Sequence, residues 1–240
     1  MDTVRLQKYF TDCGVLSRRA AEAEIAAGRV TVNGASATVG MRVTPGVDTV
    51  CWKGREITPT VLQKYYILLN KPRGFVTTLA DEQGRRTVAD LVSDVGARVY
   101  PVGRLDMDSD GLLLLTSDGT LANRLMHPRH EIPKHYRVTV AGKVSDEALS
   151  RLGKPFLLDG YKTLPVEVVK TSEDARSTVL SFTLYEGRNR QIRRMCEEVG
   201  LRITRLSRVA IGSLTLGTLD EGKWRHLTAD EVDYLYGRGE

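Results

Sequence analysis

Along this chain the spacing of apolar and polar positions switches between a helical and a strand period, and the switches mark its elements. Leu6 to Phe10 reads as a short helix, and Ser17 as the N-cap of a second helix that turns Ala21 and Ile25 inward and stops at Gly28. Val30 and Val32 then alternate with polar neighbours, and Asn33-Gly34 supplies a tight turn. Asp48 to Trp52 followed by Lys53-Gly54 repeats the strand-and-turn pattern. This is helix, helix and small sheet. The polar stretch Thr58-Pro59-Thr60 closes the unit, so a small domain over 1–60 and a larger one over 61–240 are expected.

The larger part lacks the regular strand-helix alternation of a doubly wound parallel sheet, which makes an α+β domain the expectation. Its predicted strands are Tyr65 to Asn70, Arg98 to Val102, Leu112 to Thr116, Tyr136 to Val140 and Thr178 to Tyr185. Its predicted helices are Val88 to Val92, Leu121 to Met126, Asp146 to Leu152 and Arg190 to Val199. No internal repeat or low-complexity segment is present.

Composition narrows the class. The 240 residues are 41% hydrophobic and 27% charged, a globular balance with room for one ordinary core and a smaller module. The net charge of +5 favours an anionic partner, and its placement says more than its size. Between Gly187 and Arg208 stand Arg188, Arg190, Arg193, Arg194, Arg202, Arg205 and Arg208 against Glu197 and Glu198, an excess equal to that of the whole chain. Cys13, Cys51 and Cys196 are odd in number and far apart, which indicates neither a disulfide framework nor a clustered metal site and fits a reducing cytosol. Asp2, Arg5, Lys8 and Asp12 interrupt any signal-peptide core, and no apolar run approaches a membrane span, so an unsecreted protein off the membrane is expected.

The chemistry centres on Gly103-Arg104-Leu105-Asp106-Met107-Asp108-Ser109-Asp110-Gly111, which leads into the apolar run Leu112 to Leu115. Three aspartates at alternate positions before a glycine suggest a calcium loop, but its twelfth position is Ser117 and positions seven to ten are leucine. Asp106 and Asp108 could instead be the paired carboxylates of a magnesium phosphotransferase, although such loops follow a long apolar strand and this one precedes it. By spacing alone, acids that simply cap a turn are the leading reading.

A resemblance spanning essentially the whole chain changes that balance. Gly103-Arg104-Leu105-Asp106 with Gly111-Leu112-Leu113-Leu114-Leu115-Thr116 is similar to the signature of the bacterial rRNA pseudouridine synthases of the small-subunit and large-subunit uridine-modifying (RsuA-type) family. Asn70-Lys71-Pro72-Arg73-Gly74, Ala122 to Pro128, Lys134-His135-Tyr136-Arg137-Val138 and Glu186 to Met195 resemble further family segments in the same order. The implied fold is a mixed, largely antiparallel central sheet flanked by helices. A small α/β RNA-binding domain of the ribosomal-protein alpha-L type precedes it, resembled by Arg5-Leu6-Gln7-Lys8, Ser17 to Glu22 and Gly28 to Gly34.

The resemblance implies that Asp106 is the catalytic aspartate, that Arg193 pairs with it, that Tyr136 stacks on the target uracil, and that Arg104 fills the gap left by a flipped base. The isomerisation has no net redox change and transfers no group, so no cofactor and no metal are expected. His127 and His130 are separated by Pro128 with no cysteine near, and a zinc pair is not indicated. Ribosomal RNA is the implied partner and a monomer the implied state. Phosphate contacts are expected from Arg5, Lys8, Arg18, Arg19 and Arg29, and from Arg188, Arg190, Arg194 and the rest of the segment to Arg208. Asn189-Arg190 favours the large-subunit members. The alternative of another class is a non-catalytic RNA-binding assembly factor.

Overall fold

A computed structural model describes residues 3–58, 63–126 and 132–237. The chain divides into two compact units, Met1–Lys64 and Tyr65–Glu240. The expected boundary near residue 61, and His127, Pro128 and His130, lie outside the described residues.

In the N-terminal unit, helices Leu6–Asp12 and Arg18–Ala26 accompany a four-stranded sheet ordered Ala35–Ser36, Val30–Val32, Val50–Trp52, Arg55–Ile57. Ser17 Oγ accepts from the Ala20 amide at 3.2 Å and caps the second helix. Asn33-Gly34 and Lys53-Gly54 both take positive φ, the conformation that joins adjacent antiparallel strands through two residues. Leu6, Phe10, Ala21, Ile25, Val30 and Val50 close the core. Glu24 accepts two hydrogen bonds from Arg29 and one from Trp52, which hold its carboxyl down to about 2.

The second unit is built on a nine-stranded sheet. Its main order is Glu167–Glu173, Ser177–Leu184, Lys134–Ala141, Ile203–Ile211, Asp110–Thr116, Tyr66–Lys71, Trp224–His226. Leu214–Thr215 and Tyr100–Val102 attach at the side. Every pairing is antiparallel except that of Ile203–Ile211 with Asp110–Thr116. The run Leu112 to Leu115 is apolar throughout because both faces of its strand are covered. Leu112 and Leu114 pack with helices Gly119–Met126 and Ala229–Tyr236, while Leu113 and Leu115 pack with Val88, Val92 and Val95 on the other side. A third cluster lies under helices Asp146–Leu152 and Gln191–Glu198.

Several expectations shift. The strand Ile203–Ile211, paired directly with Lys134–Ala141 on one side and Asp110–Thr116 on the other, runs through the segment read as a basic surface stretch. The helix expected from Arg190 begins at Gln191, with Arg190 in the left-handed region at φ 50°, and the strand expected from Arg98 begins at Tyr100. The hairpin Leu157–Leu158/Tyr161–Lys162 turns on Asp159-Gly160, a signal of the same kind as Asn33-Gly34.

The one parallel pairing sets Gly111 against Arg208, and there the two backbones meet closely. Gly111 has φ +106°, and a Cβ built on it would stand 2.2 Å from the Arg208 carbonyl oxygen. Only glycine permits that approach. Gly111→Ala is expected to destabilise the second unit by about 3 kcal/mol or more, read as a lowered unfolding midpoint in denaturant melts; an unchanged midpoint would contradict the close approach.

Candidate active site

The loop from Leu105 to Ser109 leaves five consecutive backbone carbonyls without strand or helix partners, and each finds one elsewhere. Thr77 Oγ1 donates to Leu105 O at 2.6 Å, and the Gly74 amide to Met107 O at 2.7 Å. Lys71 Nζ donates to Asp106 O at 3.1 Å and Ser109 O at 2.8 Å, and Arg193 Nη2 to Asp108 O at 3.0 Å. Lys71 ends the Tyr66–Lys71 strand and is 0% exposed. Burial draws its ammonium down to about 8, against the opposing charges of Asp110, Asp106 and Asp108. A buried cation spending its protons on carbonyls fixes the loop more firmly than solvent would.

The three aspartates of this loop meet three different surroundings. Asp110, its side chain 4% exposed, accepts from Ser207 Oγ and from Arg205 Nε at 3.1 Å, with Arg73 Nε at 3.5 Å. Asp108 is at the surface, 3.1 Å from Arg193 Nη2 and 3.4 Å from Arg190 Nη1. Asp106, 28% exposed, has Arg193 Nε at 3.5 Å and Arg190 Nη1 at 3.6 Å on one oxygen. Among the described residues its carboxylate accepts no hydrogen bond, and Arg193 Nε is likewise buried without one. Asp106 is thus neutralised by two guanidinium groups while its lone pairs stay free, the state a nucleophile or base requires. Asp110 has spent its lone pairs on protein donors, whereas Asp108 accepts one hydrogen bond, from Arg190 at 3.4 Å, and is about half exposed. Among the described residues no group of three or more His, Cys, Asp or Glu side chains is placed to hold a metal ion.

Arg193 is presented by the helix Gln191–Glu198, whose Ile192, Met195 and Cys196 are buried and leave Arg193 facing the loop. Cys196 is pushed up to about 12 by burial, which makes it a packing thiol. Tyr136 lies half-buried on the central strand Lys134–Ala141, opposite Phe182 and Arg208 and next to a register shift at His135/Tyr136. Such a bulge re-aims a side chain. Its ring packs between the cluster under Gln191–Glu198 and the one holding Leu105, so it borders the same loop. Arg104 is exposed beside buried Leu105.

The basic segment divides more sharply than its charge count suggests. Arg188 and Arg202 are exposed, but Arg190 joins the aspartate cluster and Arg194 pairs with Asp159 at 2.7 Å. Arg205 is committed to Asp110. Arg208 is 5% exposed and donates from Nε to Leu112 O at 2.7 Å, so it belongs to the sheet and not to a surface footprint. The strand Ile203–Ile211 carries Arg208 into the interior and sets the exposed Arg205 against Asp110. In the N-terminal unit Arg5, Arg18 and Arg19 are exposed, Lys8 pairs with Asp12, and Arg29 is bound by Glu24 at two points. Lys71 and Gly74 are the site residues whose individual roles the sequence left unread, although both stand in the Asn70 to Gly74 segment.

The mixed sheet thus carries a carboxylate free of hydrogen bonds among the described residues and set between two guanidiniums. Residues 65–198 match the family described as RNA pseudouridylate synthase, and residues 4–48 match the S4 domain. The chain is 41% identical over 238 residues to a protein of Aquifex aeolicus named an uncharacterized RNA pseudouridine synthase, covering 98% of this chain and 95% of that one. It is 42% identical to the ribosomal large subunit pseudouridine synthase B of Bacillus subtilis (96% and 95% covered) and 39% identical to the dual-specificity RNA pseudouridine synthase RluF of Escherichia coli O157:H7 (98% and 79%). A crystal structure of a pseudouridylate synthase superposes with a TM-score of 0.69 at 30% identity, covering 97% of this chain and 99% of that one. The chain belongs to the RNA pseudouridine synthase family, a family of isomerases, and carries an S4 domain ahead of the synthase domain.

Lys71→Met leaves the Asp106 and Ser109 carbonyls short of a donor and is expected to cost about 3 kcal/mol of stability. Its pH dependence has a definite sign. Between about 8 and the ordinary lysine value of 10.5 the unfolded chain keeps the proton that the native chain releases, so native stability rises with pH there and levels off above. Denaturant melts of wild type minus Lys71→Met across that window should show the gap changing in favour of wild type. A flat difference would show that Lys71 carries no such burden.

Proposed function

We propose that this protein isomerises one uridine of ribosomal RNA to pseudouridine with Asp106 as the catalytic residue. The observation that carries the assignment is the Asp106 carboxylate itself, flanked by Arg193 and Arg190 and accepting no hydrogen bond among the described residues. The reaction breaks the N1 to C1′ bond and forms C5 to C1′; C5 gives up a proton and N1 gains one, so neither an electron carrier nor a group donor enters the balance. What the protein supplies is a charged carboxylate at the sugar or base, held in direction by Arg193. Tyr136 offers its ring to the uracil, which keeps the freed base in place while it turns. Arg104, exposed beside the loop, occupies the space of the extruded nucleotide.

Arg5, Arg18 and Arg19 of the S4 domain supply phosphate contacts, with Lys8 and Arg29 adding charge already shared with Asp12 and Glu24. Large-subunit rRNA is the favoured substrate, supported by the name of the Bacillus subtilis relative and by the Asn189-Arg190 pair. A monomer acting in the cytoplasm without a metal completes the reading. Among the described residues no helix is long and apolar enough to cross a membrane.

The test is incubation of purified protein with unmodified small- and large-subunit rRNA, followed by mapping of new pseudouridines. Wild type is expected to modify one site in large-subunit rRNA, and Asp106→Asn to lose about a thousandfold or more in rate while keeping its RNA affinity. No product on either RNA removes the enzymatic reading, and product from the variant removes Asp106. Arg193→Met should lower the single-turnover rate about a hundredfold with little change in RNA affinity; a rate unaffected by that change would detach Arg193 from the chemistry.

A further inference from the structure

Arg188 lies two residues before Arg190, outside the aspartate cluster, and its surroundings are unusually well built for an exposed arginine. Its guanidinium lies 3.4 Å from the centre of the Tyr161 ring, and its nitrogens donate no hydrogen bond among the described residues, although Nε stands 4.0 Å from a Glu186 oxygen. Its backbone is clamped at both ends by buried Gln191, whose Oε1 accepts from the Arg188 amide at 3.1 Å and whose amide donates to Arg188 O at 3.2 Å. Tyr161 is fixed in turn. Its hydroxyl donates to Glu186 at 3.2 Å, and the same carboxylate accepts from Leu164 N at 2.9 Å and Gln191 Nε2 at 3.0 Å. The hairpin carrying Tyr161 is pinned to helix Gln191–Glu198 by the two-point pair of Asp159 with Arg194.

One face of a planar cation is therefore backed by an aromatic ring, while the side chain keeps 47% of its surface exposed. An arginine whose job was only an ion pair would not need its plane fixed. A rigid, flat, positively charged surface suits the one partner that is both planar and anionic, an unpaired nucleotide. The base stacks on the guanidinium face and the phosphate meets its edge. Arg190, two residues on, touches Asp106, so the two positions are separated by no more than about 7 Å of chain. That separation puts the Arg188 backbone next to the aspartate cluster.

We propose that the Arg188 face, backed by Tyr161 and positioned by Glu186 and Gln191, is a stacking site for one unpaired RNA base neighbouring the target uridine. It deepens the rRNA reading above and rests on it. The site selects substrates in which that neighbour is free of its own helix, so it reads local unpairing more than base identity.

Two measurements separate this inference from the reading it rests on. The first is binding of RNA stem-loops carrying 2-aminopurine at each loop nucleotide in turn, to wild type and to Asp106→Asn. One position should be quenched equally by both proteins, and the quench should vanish in Arg188→Ala and in Arg188→Lys, whose ammonium is not planar. Tyr161→Phe should keep it and Tyr161→Leu should weaken it. This arm requires no catalysis, and its outcome stands even if rRNA is not isomerised. The second replaces the same nucleotide by an abasic residue in an RNA that wild type modifies. The loss should be about tenfold in kcat/KM for wild type, mostly in KM, and less than twofold for Arg188→Ala. Quenching at no position, or quenching that survives Arg188→Ala, overturns the proposal. RNA binding unchanged in every variant would overturn it as well.

Discussion

A lysine with no solvent contact, donating to three backbone carbonyls, is the constraint on which the site depends. Lys71 Nζ reaches Pro72 O, Asp106 O and Ser109 O, and so joins the end of one strand to both ends of the aspartate loop. The loop can leave regular structure because its carbonyls are answered there, by Thr77, by Gly74 and by Arg193. Burying a charge to do this is costly, and the three nearby aspartates, whose field favours the ammonium, offset only part of that cost. The acidic loop and the buried lysine explain each other.

Within that frame the arginines sort the aspartates. Arg205 and Ser207 take Asp110 inward and use it to lace the parallel pair of strands. Arg193 bridges Asp106 and Asp108, but gives its good hydrogen bonds to Asp108 O and Ser109 Oγ and only its charge to Asp106. A fully hydrogen-bonded carboxylate is a structural element; one that is balanced in charge but free in its lone pairs can react. Arg190 sits in the left-handed backbone region at the start of the helix, and such strain persists where neighbouring contacts over-determine it, here the Asp106 and Asp108 contacts.

Much of this could be read from the residues. The leucine run announced a strand buried on both faces, Ser17 announced a cap, and Asn33-Gly34 and Lys53-Gly54 announced hairpins, because each rests on local chemistry. Asp106, Arg193 and Tyr136 were singled out by resemblance, since nothing in the spacing distinguishes Asp106 from Asp108 and Asp110 within the same five-residue stretch. The strand Ile203–Ile211 stayed hidden because Arg202, Arg205 and Arg208 gave it the look of a solvated charge run. Its buried residues Leu206, Ser207 and Arg208 are consecutive, so the two-residue alternation that marks a strand is lost. Lys71 was hidden for a similar reason: a lysine at a strand end ordinarily points to water. Asp159-Gly160, by contrast, carried a legible turn signal.

The parallel pairing at Gly111 and Arg208 also sets an order of assembly. Asp110 and Ser207 are 97 residues apart in sequence, and the antiparallel neighbours Tyr66–Lys71 and Asp110–Thr116 can pair long before Ser207 exists on a growing chain. During synthesis Tyr100–Val102 can already cover the second edge of Asp110–Thr116 at Leu114 to Thr116, while the start of that strand at Asp110 and Gly111 stays open until the last quarter of the chain emerges. Closing that edge brings in Ser207 and Arg205 and completes the surroundings of the loop in the same event. The hydrogen bonds that hold the Asp110 carboxylate are therefore among the last long-range contacts a growing chain can make.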